Sequence, residues 1–296
     1  MDFFLSLLVK GLTLGCIYAL VALGFVLIYK ATSVINFAVG EMMMLAGFLV
    51  TGFAGATGLG LPLGAAIGLT MLIMVLFGFA LERGVLRPMI GRPVVGMIMA
   101  TLGLGIFLRG FAPVLWGTDK KPLDLMLPSQ PLRLDTILVT PVDLTGVGLT
   151  LFLLVCFAYF FQRTRTGIAV RAVADDQQAA MAMGIRVSSV FALAWALAGI
   201  TAVAGGVIWG SKLSVDQFLA LMGLKVFPVV ILGGLDSVAG AVIGGLVVGV
   251  TENLFGGYFD KYVGGGLKDF VPYVLMLAVL MIRPYGLFGR EVIERV

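Results

Sequence analysis

RAVADDQQAAMAMGI, residues 171–185, is polar and alanine-rich, and it lies between two strongly apolar runs. Ala172, Ala174, Ala179, Ala180, Ala182 and the two glutamines favour helix. Asp175 and Asp176 are expected early in that helix, where negative charge suits its dipole, and Gly184 is placed to end it. The reading is one short helix with small side chains on one side and charges on the other. A helix resting on lipid headgroups carries large apolar residues and lysine on its polar face, whereas this one has alanine and acids. It is therefore expected to dock a protein partner in water. Ala179, Ala180 and Gly184 would allow a close fit into a groove, and Arg171, Asp175 and Asp176 would orient it.

The surrounding chain is of a different character. Of 296 residues, 60% are hydrophobic and 12% charged, with 41 glycines and no histidine, and mean hydropathy is +1.10. A soluble domain averages roughly 45–50% apolar and about 25% charged. The composition is that of an integral membrane protein. Long apolar runs recur, and a helix satisfies its own backbone in lipid; the short alternating segments of a membrane β-barrel are missing. The pattern predicts an all-α polytopic protein with about nine transmembrane helices, eight to ten being compatible. They fall near 4–29, 34–54, 61–81, 94–115, 141–161, 188–210, 218–235, 237–256 and 270–284. Cys16 and Cys156 lie inside spans and suggest no disulfide or metal framework. Asp2 stands where a signal peptide would carry basic residues, so no removable leader is expected.

Charge sets the expected orientation. Arg83, Arg87 and Arg92, then Arg163, Arg165, Arg171 and Arg186, then Arg283, Arg290 and Arg295 fall on one side, with Lys30. The other side holds Lys120, Lys121, Arg133, Lys212, Lys261 and Lys268, diluted by Asp119, Asp124, Asp135, Asp143, Asp216, Asp260 and Asp269. The positive-inside rule then puts the loop at about 162–187 and the C-terminus in the cytoplasm, and the N-terminus outside. The external connection at about 116–140 contains Pro122, Pro128 and Pro131 and has room for a short surface helix or cap. No soluble domain can be cut from residues 1–296. There is no GxxxxGK[ST] loop, so if ATP drives this protein another chain binds it.

Within the spans, Gly11/Gly15, Gly64/Gly68, Gly240/Gly244 and Gly245/Gly249 recur at the four-residue spacing that lets helix backbones approach. Asn36 is placed to cap a helix start, and Gly40 allows close approach or a break. Glu41 should face protein or water, as a pathway or hinge residue or as an acid at the cytoplasmic rim. Thr101 can bond within its own helix or line a pathway, near Gly103 and Gly105, while Arg109 is expected to snorkel outward. Lys225, Pro228 and the run Gly233-Gly234-Leu235-Asp236-Ser237 read as a tight cytoplasmic turn between two short helices. Glu252 is expected near the outer rim without a role. Asn36, Gly40, Glu41, Thr101, Gly233 and Gly234 are the pathway or gate candidates. No catalytic, cofactor or metal constellation is found, and nothing suggests nucleic acid.

Four stretches carry a resemblance. GLTLGCIYALVALGFVLIYKATSVINFAVGE (11–41), RAVADDQQAAMAMGI with FALAWALAGITAVAGG (191–206), GGLDSVAGAVIGGLVVG (233–249) and RPYGLFG (283–289) resemble the permease subunits of bacterial ABC importers for branched-chain amino acids, of the LivH type. The likeness covers essentially the whole chain, with departures at Val39 and Asp236. It implies a permease in the bacterial inner membrane that moves branched-chain or other hydrophobic amino acids by alternating access. A second homologous permease, two ATPase subunits that bind ATP and Mg, and a periplasmic substrate-binding protein are implied as partners. The 171–185 segment would then be the coupling helix. Relatives for urea, amides or aromatic acids share the signature. An ion-coupled transporter or channel is the alternative of another class, with Glu41 and Lys225 as its titratable candidates. The shortage of charge expected inside the bundle suits a pathway without a tight site of its own.

Overall fold

The computed structural model describes residues 2–54, 58–89, 93–128, 130–134 and 137–289. Of the charges that set the expected orientation, Arg92, Asp135, Arg290 and Arg295 lie outside the described residues.

Each apolar run of the sequence folds as a helix. In chain order these are α1 (Asp2–Thr32), α2 (Val39–Ala54), α3 (Leu63–Leu81), α4 (Val94–Trp116) and α5 (Pro141–Arg163). The polar segment follows as α6 (Arg165–Asp175) and α7 (Gln177–Ala182). Then come α8 (Val187–Leu213), α9 (Leu221–Gly233), α10 (Val238–Val263) and α11 (Leu267–Ile282). Among the described residues, six helices are long and apolar enough to cross a membrane: 2–32, 63–89, 95–116, 141–163, 187–213 and 238–263. By contrast α2, α9 and α11 have 16, 13 and 16 residues. At a rise of about 1.5 Å per residue they fall short of a hydrocarbon core about 30 Å thick.

Among its described residues, the 116–140 connection forms no helix after α4 ends at Trp116. It carries a small antiparallel hairpin, β1 (Leu132–Leu134) with β2 (Ile137–Val139), and Lys121 and Val215 exchange two backbone hydrogen bonds at 2.9 and 2.8 Å. Pro122, Pro128 and Pro131 withhold backbone donors and fix φ, which favours extended chain over helix.

The chain divides into two compact units, one of residues 1–26, 126–150 and 224–296, the other of 27–125 and 151–223. In the first, α1 meets α10 backbone to backbone. A Cβ on Gly15 would stand 2.6 Å from the Gly245 carbonyl oxygen, and one on Gly249 would stand 2.4 Å from the Gly15 nitrogen. Gly244 approaches α9 as closely, since a Cβ there would stand 2.4 Å from the Val229 oxygen. In lipid, where apolar contact alone does not drive association, such close packing holds helices together. The last described segment folds back on the start of the α9–α10 turn: the Leu287 and Phe288 amides donate to Leu232 and Gly233 at 2.8 and 3.1 Å. Two of the four resemblance motifs are thus one physical object.

In the second unit α2 is the core. Residues 39 to 51 of it are all buried, as expected of a helix apolar on every side. Around it α3 and α8 pack closely, with Gly78 against the Trp195 carbonyl, Gly199 against that of Met74, and Gly206 of α8 against that of Met43. Gly64 and Gly68 do not share this role. A Cβ at either position would meet nothing within 4 Å, because their side of α3 packs on no part of the described chain.

Candidate functional site: buried charge and the two-helix segment

In the second unit the chain before α2 is tied to α4. Asn36 is 1% exposed, and its Oδ1 accepts from the Ala38 amide at 3.0 Å, ordering the approach to the helix. The Thr101 hydroxyl accepts from the Phe37 amide at 3.3 Å and lies 3.2 Å from the Ile35 carbonyl and 3.0 Å from that of Ile98. Sequence reasoning weighed the within-helix bond against a pathway-lining role for Thr101. The structure adds the clamp on residues 35–37.

At the start of α2, Gly40 is helical and does not break the chain. Its role is approach: a Cβ there would stand 2.1 Å from the Ala220 oxygen, and one on Gly223 would stand 2.3 Å from the Gly40 Cα. Glu41 is buried, and Arg109 of α4 donates from a guanidinium nitrogen to its Oε1. The Glu41 side chain is 7% exposed and that of Arg109 43%. Gly105 makes the room, since a Cβ there would stand 3.3 Å from the Glu41 carboxylate. Arg109 therefore does not snorkel away; an acid in a low-dielectric site holds it. Its spacing was the missed signal: Thr101, Gly105 and Arg109 lie four residues apart on one stripe of a helix.

The first unit has its own buried acid. Glu252, 4% exposed, accepts from the Tyr18 hydroxyl at 2.8 Å and from Lys225 Nζ at 3.2 Å. Lys225 also reaches Asp269 at 2.6 Å. Glu252 is thus not an idle rim residue, and the bundle is not short of buried charge. Gly233 and Gly234 belong to this unit. Gly233 contacts Gly240 across the turn, and Gly234 adopts φ +106°, a conformation that glycine tolerates and other residues resist. The turn does not join two short helices, because α10 runs for 26 residues. Ser237 caps it, accepting from the Gly240 amide at 3.0 Å.

The 165–185 segment is two helices rather than one. Thr164 caps α6 by accepting from the Gly167 amide at 2.9 Å. Asp176 then takes an extended conformation, φ −155°, and its Oδ1 accepts from the Gln178 and Ala179 amides at 2.8 and 3.0 Å. A short acid that can bond its own backbone competes with helix continuation, and here it wins. The adjacent aspartates therefore have opposite positions: Asp175 ends α6, contrary to expectation, while Asp176 starts α7. Gly184 ends the segment at φ +83°, with the Ile185 amide donating to the Ala180 carbonyl at 3.0 Å. Arg171, Asp175, Asp176, Ala179 and Gly184 are exposed. Ala180 is not. At 4% exposure it packs with Val170, Val173, Val187, Val190 and Phe191, so it anchors the segment to α8 and is not presented outward. Sequence reasoning passed over Met181 and Met183, which are 55% and 83% exposed beside it.

Residues 7–280 match the family described as the permease component of the branched-chain amino acid transport system. The chain belongs to this family. It is 29% identical to the high-affinity branched-chain amino acid transport system permease protein BraD of Pseudomonas aeruginosa, over 99% of this chain and 98% of that protein. It is equally identical, over the same shares, to the corresponding protein LivH of Escherichia coli. The probable branched-chain amino acid transport permease protein LivH of Methanocaldococcus jannaschii is 28% identical, over 91% of this chain and 88% of that one. With its six membrane-length apolar helices, this permease is a multi-pass membrane protein.

Proposed function

We propose that this permease forms part of the membrane pathway of an ATP-driven importer and moves branched-chain or other hydrophobic amino acids by alternating access. The observation that carries the reading is the family match over residues 7–280, which spans every buried charge pair and the α6–α7 segment. In this reading the nine apolar helices form the transmembrane bundle, with α2, α9 and α11 as its short members, the N-terminus periplasmic and the C-terminus cytoplasmic, in a bacterial inner membrane. A second homologous permease completes the pathway. Two ATPase subunits hold ATP and Mg and receive α6–α7 as the coupling element, through Arg171, Asp175, Asp176 and Ala179, with Gly184 ending it. A periplasmic binding protein delivers the amino acid to the 116–140 face.

The proposal is tested by reconstituting the complex in proteoliposomes and measuring radiolabelled leucine, isoleucine and valine uptake. Uptake is expected only with ATP, the ATPase subunits and the binding protein together. Uptake by this chain alone under an ion gradient would refute it in favour of a secondary transporter. The coupling element has its own test. Asp175→Lys combined with Asp176→Asn reverses one charge and removes another while keeping a capping side chain. ATPase co-purification should fall several-fold with membrane insertion unchanged; undiminished co-purification contradicts the assignment.

A further inference from the structure

Arg109 stands on the border of two stripes of α4. On one side Thr101, Gly105, Leu108 and Ala112 are buried. On the other, Leu102 and Ile106 are 38% and 76% exposed, and with Arg109 they recur at i, i+4 and i+7, which places them on one helix face. Glu41 holds the guanidinium through one nitrogen, and 43% of the Arg109 side chain remains exposed. A cation held at such a place cannot retreat fully to the headgroups, and a charge within a membrane helix faces protein or a water-filled cavity rather than lipid. Arginine offers five N–H donors in a planar fork that matches a carboxylate.

We infer that Arg109, pinned by Glu41, is a substrate-contacting residue that takes the carboxylate of the passing amino acid, with Leu102 and Ile106 beside it taking the aliphatic side chain. This inference rests on the transport reading above and deepens it by giving the pathway a subsite of its own. Glu41 is then a positioning residue: it fixes the cation in direction and offsets its charge, so that the site binds an anion weakly enough to release it. Gly105 leaves the Glu41 carboxylate its place: a Cβ there would stand 3.3 Å away, so the carboxylate would have to shift by a few tenths of an ångström.

The test measures radiolabelled leucine binding to the detergent-purified complex without the binding protein, beside uptake by the full system. Unlabelled leucine and 4-methylpentanoate, which keeps the carboxylate, should displace the label, and leucinamide, which lacks it, should not. Arg109→Lys keeps the charge and loses the fork, and should weaken binding about tenfold, a loss of one charge-assisted contact or roughly 1.4 kcal/mol. The double variant Glu41→Gln with Arg109→Gln leaves no unpaired buried charge, so the complex should assemble while saturable binding disappears. Displacement by leucinamide equal to that by leucine, or wild-type binding in the double variant, overturns the inference. So does a wild-type complex that imports leucine yet shows no saturable binding; that result leaves the transport reading standing. A wild-type complex that imports none of leucine, isoleucine and valine overturns both.

Discussion

Of the acids buried among the described residues, Glu252 and Glu41 sit within the helical framework of different units, and their surroundings differ. Glu252 is met by a hydroxyl and by an ammonium that is itself only 15% exposed, and that ammonium is shared with Asp269. Four residues from α1, α9, α10 and α11 thereby form one chain of bonds. Glu41 is met by a guanidinium that is nearly half exposed. The first arrangement is saturated and joins four helices, so its physical role is to hold the short, proline-containing α9 in place. The second leaves donors over. Burial of an acid is common to both, and the exposure of the cation separates them. The buried Glu82 also has a half-exposed cation, Arg87 at 44%, but that pair lies past the end of α3; Glu252 with Lys225 is the clasp, and Arg109, inside α4, is the proposed binding group.

The comparison can be broken by removing partners one at a time and measuring thermal stability of the detergent-purified protein. Lys225→Met should be the most damaging, because it leaves the buried Glu252 charge with the Tyr18 hydroxyl but without its cation; losing one partner of a buried pair costs about 3–5 kcal/mol. Arg109→Gln should cost less, about 2 kcal/mol, the scale of a hydrogen bond to a charged group, since the cation it removes is already half solvated. Tyr18→Phe should cost about 1–2 kcal/mol, one donor to a buried acid that keeps its lysine. Asp269→Asn should cost under about 1 kcal/mol, because Asp269 is 76% exposed and exposed ion pairs contribute little. If Arg109→Gln destabilised more than Lys225→Met, the distinction between clasp and binding group would be wrong.

The helical framework was legible in the sequence because apolar runs of membrane length leave the backbone no other way to satisfy itself. The nine apolar runs became nine helices with ends within several residues of expectation, although among the described residues only six are long and apolar enough to cross a membrane. Glycine spacing was legible as packing, but the partners were not. Gly11/Gly15 and Gly245/Gly249 found each other, whereas Gly64/Gly68 found nothing within the described chain, and spacing alone cannot distinguish those cases. The ion pairs were missed for a related reason. Glu41 and Arg109 are 68 residues apart and Tyr18 and Glu252 are 234 apart, so each charge looked isolated: Glu41 was a pathway, hinge or rim candidate, Arg109 was expected to snorkel, and Glu252 was placed at the outer rim. In the 171–185 segment alanine content correctly suggested helix. It hid the break at Asp176, where a capping bond outweighs propensity, and it hid the inward turn of Ala180 toward α8.

The most direct measurement sets two neutral double variants side by side in the reconstituted uptake assay, Lys225→Met with Glu252→Gln against Glu41→Gln with Arg109→Gln. Replacing both members of a buried pair removes the stranded charge, so both proteins should fold. ATP-driven leucine uptake near the wild-type rate in the first and its loss in the second is the expected result. Equal uptake by the two, or loss confined to the first, would contradict the account.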